Sequence, residues 1–279
     1  MSDPIIAAVL CAALLHAGWN TLIKAHGGAV ATILVAGGAG LLCALALPFV
    51  AAPDPASWPY IGASALAQVM YYFLLIATYR SGDLSHAYPL MRGCAPLIVA
   101  LCGALAGEVL SATQWLAVAL ICGGVLAMFG SGQAGSRRTT LLALGTACVI
   151  ALYTLVDGAG VRRSGAAAGY TMWIFVLTAM GVLALGWRRH GRELLPFARR
   201  SPNLTLGVTL GGGLMTAGSY GIALWAMTAA PVAAVAALRE TSILFATLIA
   251  ALVLRERVGP ARVIGAVLIA AGAAAMRLG

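Results

Sequence analysis

The chain has 279 residues, 62% of them hydrophobic and 9% charged, with a net charge of +9. A soluble globular domain carries about 25% charged residues, so this composition excludes one and describes an all-α, polytopic membrane protein. The positive balance is no nucleic-acid footprint, because the basic residues sit in short linkers between apolar segments, where positive charge sets membrane orientation.

A spanning helix needs about 20 mostly apolar residues. Ten segments meet this, at 4–24, 30–50, 58–80, 84–106, 111–130, 139–160, 167–187, 204–228, 231–254 and 259–277. The first lacks a basic leader and is longer than a signal-peptide core, so it is expected to be retained. The longest linker is 188–203, and none can house a soluble domain. The odd linkers carry eleven Lys and Arg, against three in the even linkers and termini. The positive-inside rule then places the odd linkers in the cytoplasm and both termini outside. Cys11, Cys43, Cys94, Cys102, Cys122 and Cys148 all lie in apolar segments without metal-ligand spacing and are expected to be packing residues.

In the first segment His16, Trp19 and Asn20 follow i, i+3, i+4 spacing and share a helix face. Two readings are open for it, an interhelical hydrogen-bond clasp and a substrate site. In the third, Gln68, Tyr71 and Tyr72 share a face too deep for an interfacial belt, and they suit a pocket wall. Tyr79, three turns beyond Gln68, lies near the boundary, where an aromatic belt accounts for it.

The fourth segment carries Tyr88, Arg92 and Pro96 at four-residue steps, with His86 at its entrance. An arginine this deep costs about 2.5–3.5 kcal/mol on insertion scales, so it faces a bundle interior or a water-filled cavity. Pro89 and Pro96 flank it, and each frees a backbone carbonyl that neighbours or water must satisfy. The sixth segment offers Tyr153 and, one turn on, Asp157. Beside Arg162 and Arg163, Asp157 reads either as a solvated end charge or, with His16, His86 and Glu240, as a proton-relay candidate. The eighth is rich in glycine and places Thr216, Ser219 and Tyr220 on one face, which suits close helix approach or movement. The ninth holds Arg239 and Glu240 in an otherwise apolar run, about 100° apart on a continuous helix.

The chain repeats itself. At a constant offset of 148, Glu108 meets Glu256, Ile121 meets Ile269, Gly124 meets Gly272 and Met128 meets Met276. At the same offset Arg92 meets Glu240, so each half sets an ionised side chain at the same depth. The halves, 1–130 and 139–279, hold five segments each. An odd number makes them inverted repeats, an arrangement that places a transporter's site near the midplane between them. Pairing of Arg92 with Glu240 across the pseudo-axis reads either as a structural ion pair or as a site for a zwitterion, with arginine taking the carboxylate.

HAGWNTLIK at 16–24, YRSGDLSHAYPLMRGCAPL at 79–97 and the two segments after Glu108 and Glu256 resemble the drug/metabolite transporter superfamily. Within it they are most similar to the EamA-type ten-helix carriers, which include bacterial exporters of aromatic amino acids. The resemblance covers the whole chain as two EamA repeats around a central cavity. It implies cavity roles for His16, Tyr79, Tyr88, Arg92 and the residue at Ile150, which contributes shape only. Many members have cytoplasmic termini, which conflicts with the charge count. The local motifs are also similar to those of carriers linked to phosphonate use.

The expected activity is export of small metabolites, amino acids first, by alternating access in the inner membrane. The expected substrate contacts are His16, Trp19, Asn20, Gln68, Tyr71, Tyr72, Tyr79, Tyr88, Arg92, Tyr153, Tyr220, Arg239 and Glu240. The alternative is an organic-anion carrier, because phosphate prefers arginine. A lipid-modifying enzyme or a scaffold is weaker, since no catalytic motif is present. No metal, nucleotide, nucleic acid or other cofactor is indicated, and two halves in one chain make an obligate dimer unnecessary.

Overall fold

The computed structural model describes residues 1–26, 28–80, 84–128, 136–252 and 259–278. Glu256 and its neighbouring arginines, and with them the Glu108–Glu256 match, fall outside the described residues. Each predicted segment forms helix over its described residues, the ninth in two pieces. The elements are α1 (Asp3–His26), α2 (Gly28–Ala46), α3 (Trp58–Arg80), α4 (Leu84–Leu105), α5 (Ala112–Ala127) and α6 (Arg137–Ser164). They continue as α7 (Ala167–Arg200), α8 (Pro202–Leu206), α9 (Gly212–Met227), α10 (Val232–Arg239), α11 (Ser242–Leu252) and α12 (Pro260–Leu278). Among the described residues, eight helical stretches are long and apolar enough to cross a membrane, and α5 is a shorter apolar helix. The protein is an all-α polytopic membrane protein.

Local chemistry explains the boundaries. Ser111 accepts from the Gln114 backbone N–H at 3.1 Å while the Gln114 side chain accepts from the Ser111 N–H at 2.9 Å, a reciprocal cap that starts α5. Ser136 caps α6 in the same sense. Gly165 ends α6 with φ of 60°, a conformation that glycine adopts without steric cost.

Three segments depart from the sequence expectation. The linker expected at 188–203 is helical to Arg200, because α7 continues beyond its apolar run. The polar extension is held from the side, with the Arg189 guanidinium 5.1 Å over the Phe73 ring. Between α8 and α9, Gly207–Gly211 forms a π-helical turn. The ninth span is broken in its middle: α10 ends at Arg239 and α11 begins at Ser242. Across the break the backbone bonds shorten to three-residue steps, Glu240 N–H to Ala237 C=O at 2.9 Å and Leu244 N–H to Thr241 C=O at 2.9 Å.

The main helix pairs are retained when residues 1–130 and 139–279 are exchanged. Under the exchange of α1 with α6, α2 with α7, α3 with α9, α4 with α10–α11 and α5 with α12, the α3–α6 contact becomes α9–α1 and α3–α7 becomes α9–α2. The pairs α2–α7 and α5–α12 map onto themselves. The α5–α12 seam shows this at atomic scale. A Cβ on Gly124 would lie 2.8 Å from Ile269 Cγ1, and one on Gly272 would lie 2.7 Å from Ile121 Cγ1. These are the residues matched at the 148 offset, each glycine receiving the isoleucine of the other half. The eighth segment's glycines also serve close approach, since a Cβ on Gly213 would sit 2.5 Å from the Ala39 backbone nitrogen.

A polar clamp closes the α9–α10 turn. Glu108 accepts from the backbone N–H groups of Val232 at 2.8 Å and Ala233 at 3.3 Å, at the start of α10. Arg162 binds Glu108 at 3.2 Å and donates to the Met227 and Ala230 carbonyls, at the end of α9. Carboxylate at a helix start and guanidinium at a helix end both complement the helix dipole.

Candidate functional site

Two neighbouring voids lie among α1, α3, α4, α6, α7, α9 and α10. The larger has a cavity volume of about 40 Å³ and the smaller about 10 Å³, and both are lined by His16, Tyr71 and Arg92. Small-molecule sites span roughly 300–1,000 Å³, so in this conformation neither void holds a solute of amino-acid size, and a substrate needs the surrounding helices to part.

From α1, His16 lines both voids, Trp19 the larger and Asn20 the smaller. The Trp19 indole N–H donates to His16 Nδ1 at 3.3 Å, and Asn20 Nδ2 donates to the His16 carbonyl at 2.8 Å. These bonds stay within α1, so the interhelical clasp expected as one reading is not what the face does. The Trp19 bond leaves His16 Nε2 to carry the proton of the neutral ring.

The aromatic wall crosses four helices. Tyr71 lies 5.4 Å from Tyr72 and 5.8 Å from Tyr153, Tyr153 lies 6.0 Å from Tyr220, and Tyr220 lies 6.2 Å from Phe175. The rings meet tilted or edge-on, the arrangements that aromatic quadrupoles favour. Phe175, Thr216, Leu75, Met91 and Ile150 complete the lining. Phe175 and Met91 sit in apolar runs where nothing in the sequence separates a wall residue from a packing one.

Charge enters from α4 and from the broken ninth span. Arg92 Nε lies 2.9 Å from Glu240 Oε2, with side chains 11% and 7% exposed. The contact is one of charge more than of hydrogen-bond alignment. Arg92 Nη2 also donates to Ser242 Oγ at 3.2 Å. At the break Glu240 reaches Arg92 while Arg239 faces the larger void. The Arg239 guanidinium lies 5.0 Å over the Tyr220 ring, its Nε is buried without a hydrogen bond, and no carboxylate among the described residues contacts it. Tyr88 lines the smaller void beside Arg92. The side chain of Tyr79 lies outside the described residues.

Asp157 is no solvated end charge. It is fully buried, because α6 continues to Ser164, almost two turns past it. Its Oδ1 accepts from the Tyr170 hydroxyl at 3.1 Å, and its Oδ2 accepts from the Tyr220 hydroxyl at 2.5 Å and from Gln68 Nε2 at 3.4 Å. Gln68 and Tyr220 both line the larger void, so Asp157 stands directly behind its wall.

Comparison with known proteins agrees with this architecture. A solved structure, described only as a crystal structure of a protein, is 19% identical over 100% of this chain and 98% of that chain, with a TM-score of 0.73. At that identity it establishes a shared fold alone. No curated protein matches the sequence. The profile of the EamA-like transporter family matches residues 137–278, just over half of the chain. With a polytopic helical fold around a polar, aromatic-walled cavity, the chain belongs to the EamA-like transporter family, a family of membrane transporters of the drug/metabolite type.

Proposed function

We propose that this transporter exports small metabolites, amino acids first and the aromatic ones among them, by alternating access across the inner membrane. The observation that carries the reading is the convergence of Arg92 and Arg239 on one cavity walled by tyrosines, with Glu240 lining neither void but paired to Arg92. In this reading the substrate carboxylate binds Arg239, the cation whose Nε has no partner. Arg92 and Glu240 take carboxylate and ammonium only when their own pair opens. His16, Asn20 and Gln68 supply hydrogen bonds, and Tyr71, Tyr72, Tyr88, Tyr153 and Tyr220 supply the wall. Residues 1–130 and 139–279 act as inverted repeats that rock about this site, and the exchange-symmetric packing supports that division. A single chain then suffices as the working unit. Broken spans are a recurrent feature of transporter sites, and the interruption between α10 and α11 supports placing the substrate there.

A second reading is favoured by the cation excess. With Arg92 matched by Glu240, Arg239 leaves the wall one positive charge in surplus, which suits an organic anion such as a phosphonate. Counterflow in proteoliposomes separates the two, with the proteinogenic amino acids and several phosphonates as competitors against wild type, Arg92→Ala and Arg239→Ala. The first reading expects amino-acid exchange that Arg239→Ala removes. Competition by phosphonates alone selects the second. Exchange unchanged in both arginine variants refutes the site assignment.

A further inference from the structure

We propose that Asp157 is the carrier's proton-binding site, linked through Tyr220 and Gln68 to the charge bound in the cavity. The proposal rests on the transporter reading for its purpose, but not on which solute is moved.

Asp157 lies inside a membrane span, with no exposed surface. Intramembrane carboxylates are costly and mark sites of function. Buried carboxylates are ordinarily paired with a cation, and this one is not. Its partners are two phenol hydroxyls, a primary amide and the Ser64 hydroxyl, each neutral. Hydroxyl hydrogens rotate, so a phenol that donates to the carboxylate can accept from the carboxylic acid, and the site accommodates both protonation states.

The surrounding ionisable groups are fixed by the packing. On α6 itself Tyr153 lies one turn before Asp157, and Arg162 and Arg163 follow it. Arg162 is committed to Glu108 and two carbonyls, and Arg163 lies over the Tyr60 ring of α3. Tyr170 comes from α7 and Tyr220 from α9. Farther off, His16 on α1, Tyr71 and Tyr72 on α3, and Arg92 and Tyr88 on α4 face the voids, where Arg92 is paired with Glu240. Arg239 on α10 remains, stacked on the ring of the same Tyr220 that donates to Asp157.

Tyr220 therefore joins the two charges. Its hydroxyl reads the protonation of Asp157 and its ring face supports Arg239. With Asp157 ionised, the four charges Arg92, Glu240, Arg239 and Asp157 cancel. With Asp157 protonated, one positive charge is left to face the cavity. Proton binding and substrate charge are thus thermodynamically linked, and the linkage is reciprocal. A bound anion favours the protonated form and a bound cation the ionised one, so the sign of coupling follows from the solute's charge.

The test needs no solute. Infrared spectra of the purified full chain in lipid vesicles are recorded across a pH titration, for wild type, Asp157→Asn, Glu240→Gln, Tyr220→Phe and Arg239→Gln. The expected result is a protonated-carboxyl band that titrates reversibly in wild type, disappears in Asp157→Asn and persists in Glu240→Gln. Its frequency moves in Tyr220→Phe, which removes one donor while keeping the carboxyl, and so identifies the group even if Asp157→Asn does not fold. Its titration is displaced in Arg239→Gln. A titrating band that is insensitive to Tyr220→Phe and survives in Asp157→Asn overturns the proposal, as does the absence of any titrating carboxyl in wild type. Failure to move any solute in the counterflow assay would count against the transport reading and leave this result standing.

Discussion

The Arg92–Glu240 pair sets up a double-mutant cycle that separates architecture from transport. At 2.9 Å the gross attraction is on the order of 6 kcal/mol for an effective dielectric constant near 20. Desolvation of two side chains that are 11% and 7% exposed takes back much of it. Removing one member leaves the other as an uncompensated charge, at a cost of about 3–5 kcal/mol, whereas replacing both by apolar residues is often close to neutral. Glu240→Gln and Arg92→Met should each lower the melting temperature of the purified protein by roughly 6–20 °C, taking about 2–4 °C per kcal/mol. The double variant Arg92→Met with Glu240→Met should melt near wild type. Thermal unfolding in detergent gives the stabilities, and counterflow with the same preparations gives the activities. A double variant that is stable but transports nothing places the pair in the substrate path, whereas one that is stable and active makes the pair structural. Single variants as stable as wild type would refute the reasoning, because a pair that can lose one member without cost is not electrostatically committed.

Two further outcomes follow from the packing and are read by thermal unfolding. Gly38→Ala puts a Cβ 1.8 Å from the Thr209 carbonyl oxygen and should destabilise by about 1–3 kcal/mol or more, whereas Gly145→Ala, with open space around it in α6, should stabilise by roughly 0.5–1 kcal/mol; equal effects would contradict the close approach of α2 to the π-helical turn. Glu108→Ala removes the acceptor at the start of α10 and the partner of Arg162, and a loss of about 1.5–3 kcal/mol is expected; an unchanged melting temperature would show that the clamp contributes nothing.

Most of the span architecture is legible in the sequence because hydrophobic length is a coarse and robust signal in a bilayer. The cavity residues were legible where polarity or aromaticity stood out against an apolar run, as at His16, Gln68, Tyr71, Tyr153 and Arg239. Phe175 carried no such contrast. The break at Glu240–Thr241 is not legible because no proline or glycine occupies it. Asp157 was ambiguous for a reason of boundaries. Ending the sixth segment at residue 160 set Asp157 in its last turn beside two arginines, and four more helical residues put it in the interior. The helical course of α7 past residue 187 was masked by charge, which reports the edge of the membrane and not the end of a helix.

The reciprocal seam of Gly124 with Ile269 and Gly272 with Ile121 has a consequence for biosynthesis. It joins α5 to α12, helices separated by more than a hundred residues of intervening chain. During synthesis α5 enters the bilayer long before its counterpart exists, and its glycine face must wait among lipids or transient neighbours. The seam is the last to close, and it closes only against a surface shaped like its own. Assembly of this protein is therefore completed from its end backward to its middle, and a ribosome that stops before α12 leaves the first half with an unfilled groove of defined shape, one that a separately supplied second half could occupy.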